Sequence, residues 1–293
     1  MYVSFNPALK ADAPLFSVLK NNPPAWWKKI LANDRLYVEI RKDNYINVYY
    51  QGGSIARVEC VSNKVSLKAH PKYMGHYDKS DRTFYRADGS PVYADCADYL
   101  VNHMDEMLRN VERAYSNKKD KDCENAENIS EKKIQGEMII HGRGEYLDSE
   151  LECLFSHEYD SAGKCKNRFI RIDMVRVEDN HLLFVELKRI QDSRLLNKDD
   201  SDPEIVTQMN NYSIFVRNNS EMLLGYYRTL YGIKRSLGLP VPHIDENSLS
   251  VDTTPVLLIK NLYGDVVGTR RLARISRIEA LLRKNGITYK LCK

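Results

Sequence analysis

Residues 169–188, FIRIDMVRVEDNHLLFVELK, read as a β-hairpin. Two runs of β-formers, 169–177 and 182–188, flank Glu178-Asp179-Asn180-His181, where Asp-Asn is a natural two-residue turn. A turn centred between Asp179 and Asn180 sets Asp173 opposite Glu186 and Arg171 opposite Lys188. Side chains alternate along a strand, so Asp173, Glu186 and Lys188 share one face. Ile170, Ile172, Met174, Leu183, Val185 and Leu187 fall on the other, which suits a core. Carboxylates directly across an antiparallel ladder stand about 4.5–5.5 Å apart at Cβ and repel. A divalent cation between them removes that penalty. A register shift of one residue removes it too, by turning every side chain to the opposite face. The charge pattern alone therefore leaves a metal site and a solubilising surface both open.

At 293 residues the chain has room for one large domain or two modest ones. Its 43% apolar and 29% charged content is that of a soluble globular protein. The start, MYVSFNPALKADAPLF, has no basic segment leading into an apolar one, so no signal peptide is expected. No run approaches the roughly 18 apolar residues of a membrane span. Cys60, Cys96, Cys123, Cys153, Cys165 and Cys292 are scattered, without a CxxC or zinc spacing. They read as reduced thiols of a cytoplasmic protein.

The net charge of +4 is modest, but its distribution is not. From Gly268 to Lys293, eight basic residues (Arg270, Arg271, Arg274, Arg277, Arg283, Lys284, Lys290 and Lys293) meet one acid, Glu279. Leu272, Ile275, Ile278 and Leu282 thread an apolar stripe through them at helical spacing, with Thr269 as N-cap and Gly286 at the far end. The arginines then project from the other side of an amphipathic helix. Such a face meets either phosphates or plain solvent.

Around these two segments the chain divides. The first ~95 residues read as a mixed α/β unit. A short helix AWWKKIL follows Pro23-Pro24, and alternating strands run at 35–42, 45–51, 54–61 and 64–70. Turns at Asp43-Asn44, Gly52-Gly53 and Ser62-Asn63 make them an antiparallel meander. Its Tyr and Trp residues either stack bases or, more simply, pack the sheet. Residues 96–115 form an amphipathic helix with Leu100, Met104, Met107, Leu108, Val111 and Tyr115 along one side. SNKKDKDCENAEN, 116–128, has almost nothing to bury and reads as a charged linker. Three spans follow: 1–115 as an α+β domain for substrate recognition or partner binding, 116–128 as linker, and 129–293 as a second domain. In the last, Ser130 caps EKKIQGEMII, and strands are expected near 146–155, 169–177 and 182–189. Helices follow from Pro203-Glu204 and over 220–237. TTPVLLIKN, 253–261, suits a strand buried on both faces. The basic helix and a final strand, ITYKLCK, complete the order α-β-β-β-α-(α)-β-α-β.

A helix, then a hairpin bearing Asp173 and Glu186-Leu187-Lys188, then a helix and a buried strand resembles the PD-(D/E)XK nuclease superfamily. Ile172 stands where that family has proline. On the following helix, Gln208-Met209-Asn210-Asn211-Tyr212 resembles the QxxxY motif of its RecB and lambda-exonuclease branch. Gln208 and Tyr212 lie at i and i+4, on one helical face. The resemblance covers about 129–293 and implies a restriction-endonuclease-like mixed-sheet core. It also implies a glutamate from the helix before the first strand. Glu131 is the candidate, sharing an inward face with Ile134, Gln135 and Met138; Glu137, on another face, is the runner-up.

By the same resemblance the protein is a nuclease dependent on Mg²⁺ or Mn²⁺, hard ions suited to oxygen ligands. Asp173 and Glu186 hold the metal, with the Leu187 carbonyl as a further ligand. Lys188 orients water, stabilises developing charge or, with a shifted pKa, moves a proton. Gln208 and Tyr212 position these groups. Arg171, Arg189, Arg270, Arg274 and Arg277 guide nucleic acid, most simply DNA, toward them. Rival readings are a non-cutting nucleic-acid-binding module, a protein-interaction module or homodimer built through the N-terminal sheet, and a metal hydrolase of another substrate. Endonuclease and exonuclease, DNA and RNA, repair and defence against foreign DNA all stay open.

Overall fold

The computed structural model describes residues 5, 7–115, 129–159, 165–197, 199, 201–263 and 268–292. The expected linker, 116–128, lies outside the described residues. Among those described, seven α-helices and two β-sheets form a mixed α/β architecture.

The first sheet is an antiparallel meander of β1 (Leu36–Arg41), β2 (Tyr45–Tyr50), β3 (Gly53–Val61), β4 (Lys64–Ala69) and a two-residue β5 (Ala94–Asp95), in that spatial order. Its tight turns use left-handed backbone, with positive φ at Asn44, at Gln51-Gly52 and at Ser62-Asn63. That handedness matches the twist of the strands they join. Helices α1 (Pro14–Asn21), α2 (Ala25–Leu31) and α3 (Ala97–Tyr115) pack on this unit. Trp26, Trp27, Tyr37, Tyr49 and Tyr50 are all buried, so these aromatics build the core and offer no face to a base. The expected stripe of α3 is buried at Leu100, Met107, Leu108 and Val111 and half-buried at Met104.

The second sheet is mixed. After α4 (Glu131–His141), whose Ser130 Oγ accepts the Lys133 N–H at 3.2 Å, come β6 (Tyr146–Tyr159), β7 (Cys165–Glu178) and β8 (His181–Arg189). These three are antiparallel neighbours. Helices α5 (Glu204–Asn218) and α6 (Ser220–Ser236) lead to β9 (Ser250–Val251) and β10 (Val256–Lys260), both parallel to β8. Helix α7 (Thr269–Lys284) returns the chain to β11 (Tyr289–Cys292) beside β10, giving the order β11-β10-β8-β7-β6. Leu257, Leu258 and Ile259 of β10 are buried, as an apolar run in a covered parallel position requires.

Three expectations need correction. The hairpin's apolar residues do not share one core: Met174, Val185 and Leu187 pack with Ile134 and Ile139 of α4, Ile170 and Ile172 join the larger cluster, and Leu183 is half-buried. With both faces of the sheet covered, alternation does not separate core from solvent. The stripe of α7 fades toward its start, Leu272 being 52% exposed while Ile278 and Leu282 are buried. The N-cap is Gly268, without a side-chain cap, and Thr269 is the first helical residue.

The two sheets are joined by one hydrophobic cluster and by buried charge. Lys234 Nζ of α6 donates to Glu39 Oε2 of β1 at 2.6 Å and to the Leu147 carbonyl at 2.7 Å. Ser149 Oγ donates to Glu39 Oε1 at 3.0 Å. Arg41 bonds Asp148, the Ser149 carbonyl and the Tyr49 hydroxyl. Burial, then the neighbouring Glu39, raises the Asp148 carboxyl to about 7. At the tip of the β2–β3 turn, Gly52 packs so closely on α4 that a Cβ on either Gly52 or Gly136 would overlap the other element's backbone.

Candidate active site

The hairpin turn at Asp179-Asn180 has φ of 47° and 64°, and the ladder runs from Glu178↔His181 to Met174↔Val185. This is the register the turn dictates. Beyond Met174 and Val185 the strands part, because β8 continues along β10 while β7 continues along β6. The site lies in that fork. The Leu187 N–H, deprived of a ladder partner, donates instead to Asp173 Oδ2 at 2.8 Å. Two carbonyls of β7 left open by the fork are also satisfied by side chains. Gln135 Nε2 of α4 donates to the Asp173 carbonyl at 2.6 Å, and the Tyr212 hydroxyl of α5 donates to the Arg171 carbonyl.

Four elements thus converge on one point. Glu186, 2% exposed, accepts Gln208 Nε2 at 2.6 Å on Oε1, and its Oε2 lies 3.1 Å from the Tyr212 hydroxyl, which shares its single proton with the Arg171 carbonyl. Gln208 Nε2 also reaches the Tyr212 hydroxyl at 2.8 Å, so the i, i+4 pair on α5 grips a single carboxylate. Lys188, 1% exposed, donates to Glu186 Oε1, to the Leu187 carbonyl at 2.8 Å and to Glu131 Oε1 at 3.3 Å. Glu131 also takes Arg194 at 3.6 Å. The runner-up, Glu137, pairs instead with Lys133 at 4.0 Å on an exposed face of α4.

Charge in the fork is unbalanced. Burial first, and then the Glu186 carboxylate, pushes the Asp173 carboxyl up to about 8. Burial alone would lower the Lys188 ammonium, but Glu186, Asp173 and Glu131 outweigh it and raise its pKa. Lys188 is therefore a held cation and hydrogen-bond donor in this state, not a base. Burial and Glu186 likewise raise the Tyr212 phenol.

Among the described residues, no cluster of three or more His, Cys, Asp or Glu side chains is arranged to hold a metal. The donor set at the fork still suits a hard divalent ion. It is all oxygen: Asp173, Glu186 and the Leu187 carbonyl. The Lys188 ammonium already gathers the Glu186 and Leu187 oxygens around one positive charge. Burial above all, and then the Glu186 carboxylate, raises the Asp173 carboxyl, so its charged form is poorly accommodated without a further cation. Gln208 Oε1, buried beside Glu186, has no donor. A hydrated cation would relieve both.

The expected guiding arginines sort unevenly. Arg171 is exposed, ion-paired with Glu152 of β6. Arg189 braces α4 by donating to the Ile129 carbonyl at 3.1 Å. Arg274 ties α7 to the loop after β8 through the carbonyls of Ile190 (3.1 Å) and Asp192 (2.9 Å). Arg270 and Arg277 are exposed on α7. Sequence reasoning did not assign Gln135 or Arg194 to the site; Gln135 had a legible signal, its place one turn after Glu131 on the inward face of α4. No protein-family model matches the chain, and no curated protein or solved structure matches it either. The site's own geometry carries the functional reading.

Proposed function

We propose that this chain is a metal-dependent nuclease hydrolysing phosphodiester bonds, most simply in DNA, on a PD-(D/E)XK-like core. The supporting observation is the fork itself: Asp173, Glu186 and the Leu187 carbonyl beside Lys188, with Gln208 and Tyr212 fixing Glu186. Asp173, Glu186 and the Leu187 carbonyl would hold Mg²⁺ or Mn²⁺, which would supply Lewis-acid chemistry at the phosphodiester. Lys188 turns its donors from Glu186 toward the attacking water and the phosphate, where an ammonium stabilises growing negative charge. Water adds to phosphorus, one P–O ester bond breaks, and the proton released ends on the leaving oxygen. Gln208 and Tyr212 keep Glu186 from swinging as Lys188 lets go, and Gln135 holds the Asp173 backbone. The N-terminal unit braces α4 and so holds Glu131 over Lys188.

A second reading, a nucleic-acid-binding module that does not cut, is favoured by the closure of Lys188 onto Glu186 and Glu131. Incubating the full chain with supercoiled and linear DNA and Mn²⁺ separates the two. Nicked circles mean an endonuclease, and loss of linear DNA alone an exonuclease. Either activity must vanish in Asp173→Ala. Intact DNA with wild-type protein overturns the deoxyribonuclease reading.

A further inference from the structure

A cavity of about 140 Å³ lies at the joint between the two sheets and shares no residue with the fork. Its size is close to the roughly 150 Å³ in which an apolar protein cavity holds benzene. The inner wall is apolar: Ile30 of α2, Leu36 of β1, Ile139 of α4 and Leu239 after α6 are all buried. Leu31 and Pro240 stand exposed at the mouth. Joints between packed units are common places for small-ligand sites.

The polar lining narrows the occupant. Glu39 and Lys234 satisfy one another across 2.6 Å, so neither selects a charged ligand. Arg143 does. It is exposed, and its Nη2 is fixed by the carbonyls of Asp34 at 2.5 Å and Leu36 at 2.9 Å. Carbonyls orient a guanidinium without cancelling its charge. Its Nε and Nη1 have no partner among the described residues, and no carboxylate pairs with it there. Tyr37, also in the lining, is 8% exposed, and its hydroxyl has no hydrogen-bond partner among the described residues. Burial keeps it a neutral phenol, able to donate and accept. Strand β1 is the edge of its sheet, and no other backbone pairs with its outer side at Tyr37–Glu39. Unused donors around an apolar space of this size match an anionic head on a compact apolar body. One unpaired guanidinium serves one charge, and the wall behind it is apolar, so a polyphosphate does not suit.

We propose that this cavity binds a small carboxylic acid whose apolar body is about the size of one six-membered ring, with its carboxylate on Arg143 and its body among Ile30, Leu36, Ile139 and Leu239. The site is independent of the nuclease reading. Its walls come from α2 and β1 on one side and α4 on the other, so the ligand clasps the N-terminal unit to the helix that carries Glu131. The test is isothermal titration calorimetry of the full chain with sodium benzoate, beside acetate, which lacks the ring, and benzyl alcohol, which lacks the charge. Benzoate binds about tenfold or more tightly than either, through ring burial and the charged hydrogen bond respectively. Arg143→Gln weakens benzoate about tenfold or more, the loss of one hydrogen bond to a charged group, and leaves benzyl alcohol unchanged. Arg143→Lys, which keeps the charge, recovers part of that loss. Melting curves without ligand show that each variant is folded. If Arg143→Gln loosens the site through its two carbonyls, the ratio of benzoate to benzyl alcohol affinity within that variant still reads the charge. No benzoate binding by wild type leaves the cavity merely hydrated and overturns the proposal. Acetate or benzyl alcohol binding as tightly as benzoate, or an unchanged ratio in Arg143→Gln, overturns it too.

Discussion

Gly136→Ala inverts the usual rule for helices. Gly136 sits in the middle of α4, where replacing glycine with alanine ordinarily stabilises by about 0.8–1 kcal/mol. Here a Cβ would lie 2.8 Å from Gln51 C and closer still to Gly52 N, both of them backbone atoms in a tight turn. Gly52 cannot yield easily, because its φ of +75° fixes the tight turn and its backbone already lies against the Lys132 carbonyl of the same helix. Overpacking of this kind costs about 1–3 kcal/mol. Set against the helix gain, the net effect is a loss of up to about 2 kcal/mol, and a melting temperature lower by up to about 8 °C. Gly225→Ala supplies the control. That glycine is also within a helix, α6, but has nothing within 4 Å of its would-be Cβ, so the substitution should raise stability by up to about 1 kcal/mol. Differential scanning calorimetry of both variants reads the sign directly. The Gly136 variant should also lose turnover beyond its loss of stability, since pushing α4 outward carries Glu131 from Lys188 and Gln135 from Asp173. If Gly136→Ala melts higher than wild type, as Gly225→Ala does, the β2–β3 turn does not brace the helix.

Two further predictions concern the joint between the sheets and the 3₁₀ turn Pro71–Met74 that follows β4, which His70 caps. Lys234→Met leaves Glu39 buried and unpaired and should cost about 3–5 kcal/mol in urea unfolding; adding Glu39→Gln should recover most of it, and no recovery would mean that the pair is not the source. His70 Nδ1 accepts the Lys72 N–H at 3.1 Å, which requires the neutral ring. Burial, then Lys72 and Lys79, lowers its pKa from 6.5 to about 4. A depressed histidine contributes stability that is present above 6.5 and lost as pH falls toward 4. His70→Asn, which can still cap this turn but does not titrate, should lose less stability over that interval; parallel acid losses in urea midpoint would refute this.

Local rules made the hairpins legible. Asp179-Asn180 demanded a two-residue turn, and that turn alone set Asp173 toward Glu186. The short apolar run 253–261 announced a strand covered on both sides, and β10 is one. What sequence could not show depends on who sits next to whom. The parting of β7 from β8 after Met174 follows from β8 pairing with β10, far along the chain. That parting converts an opposed carboxylate pair into a fork with side-chain-capped carbonyls. Arg274 looks like any exposed helix cation until its carbonyl partners on the β8 loop are placed. Gly136 looks like a weak helix residue until the turn at Gly52 arrives against it. The two-residue strands β5 and β9 are each too short to display a period.

Cleavage of a single end-labelled strand by wild type, Asp173→Ala and Lys188→Ala, each with Mg²⁺ or Mn²⁺ and each with its melting curve, reaches the centre of the account. Wild type should cut only with the metal, and neither variant should cut although both remain folded. Cutting by folded Lys188→Ala and Asp173→Ala at the wild-type rate would place the chemistry elsewhere.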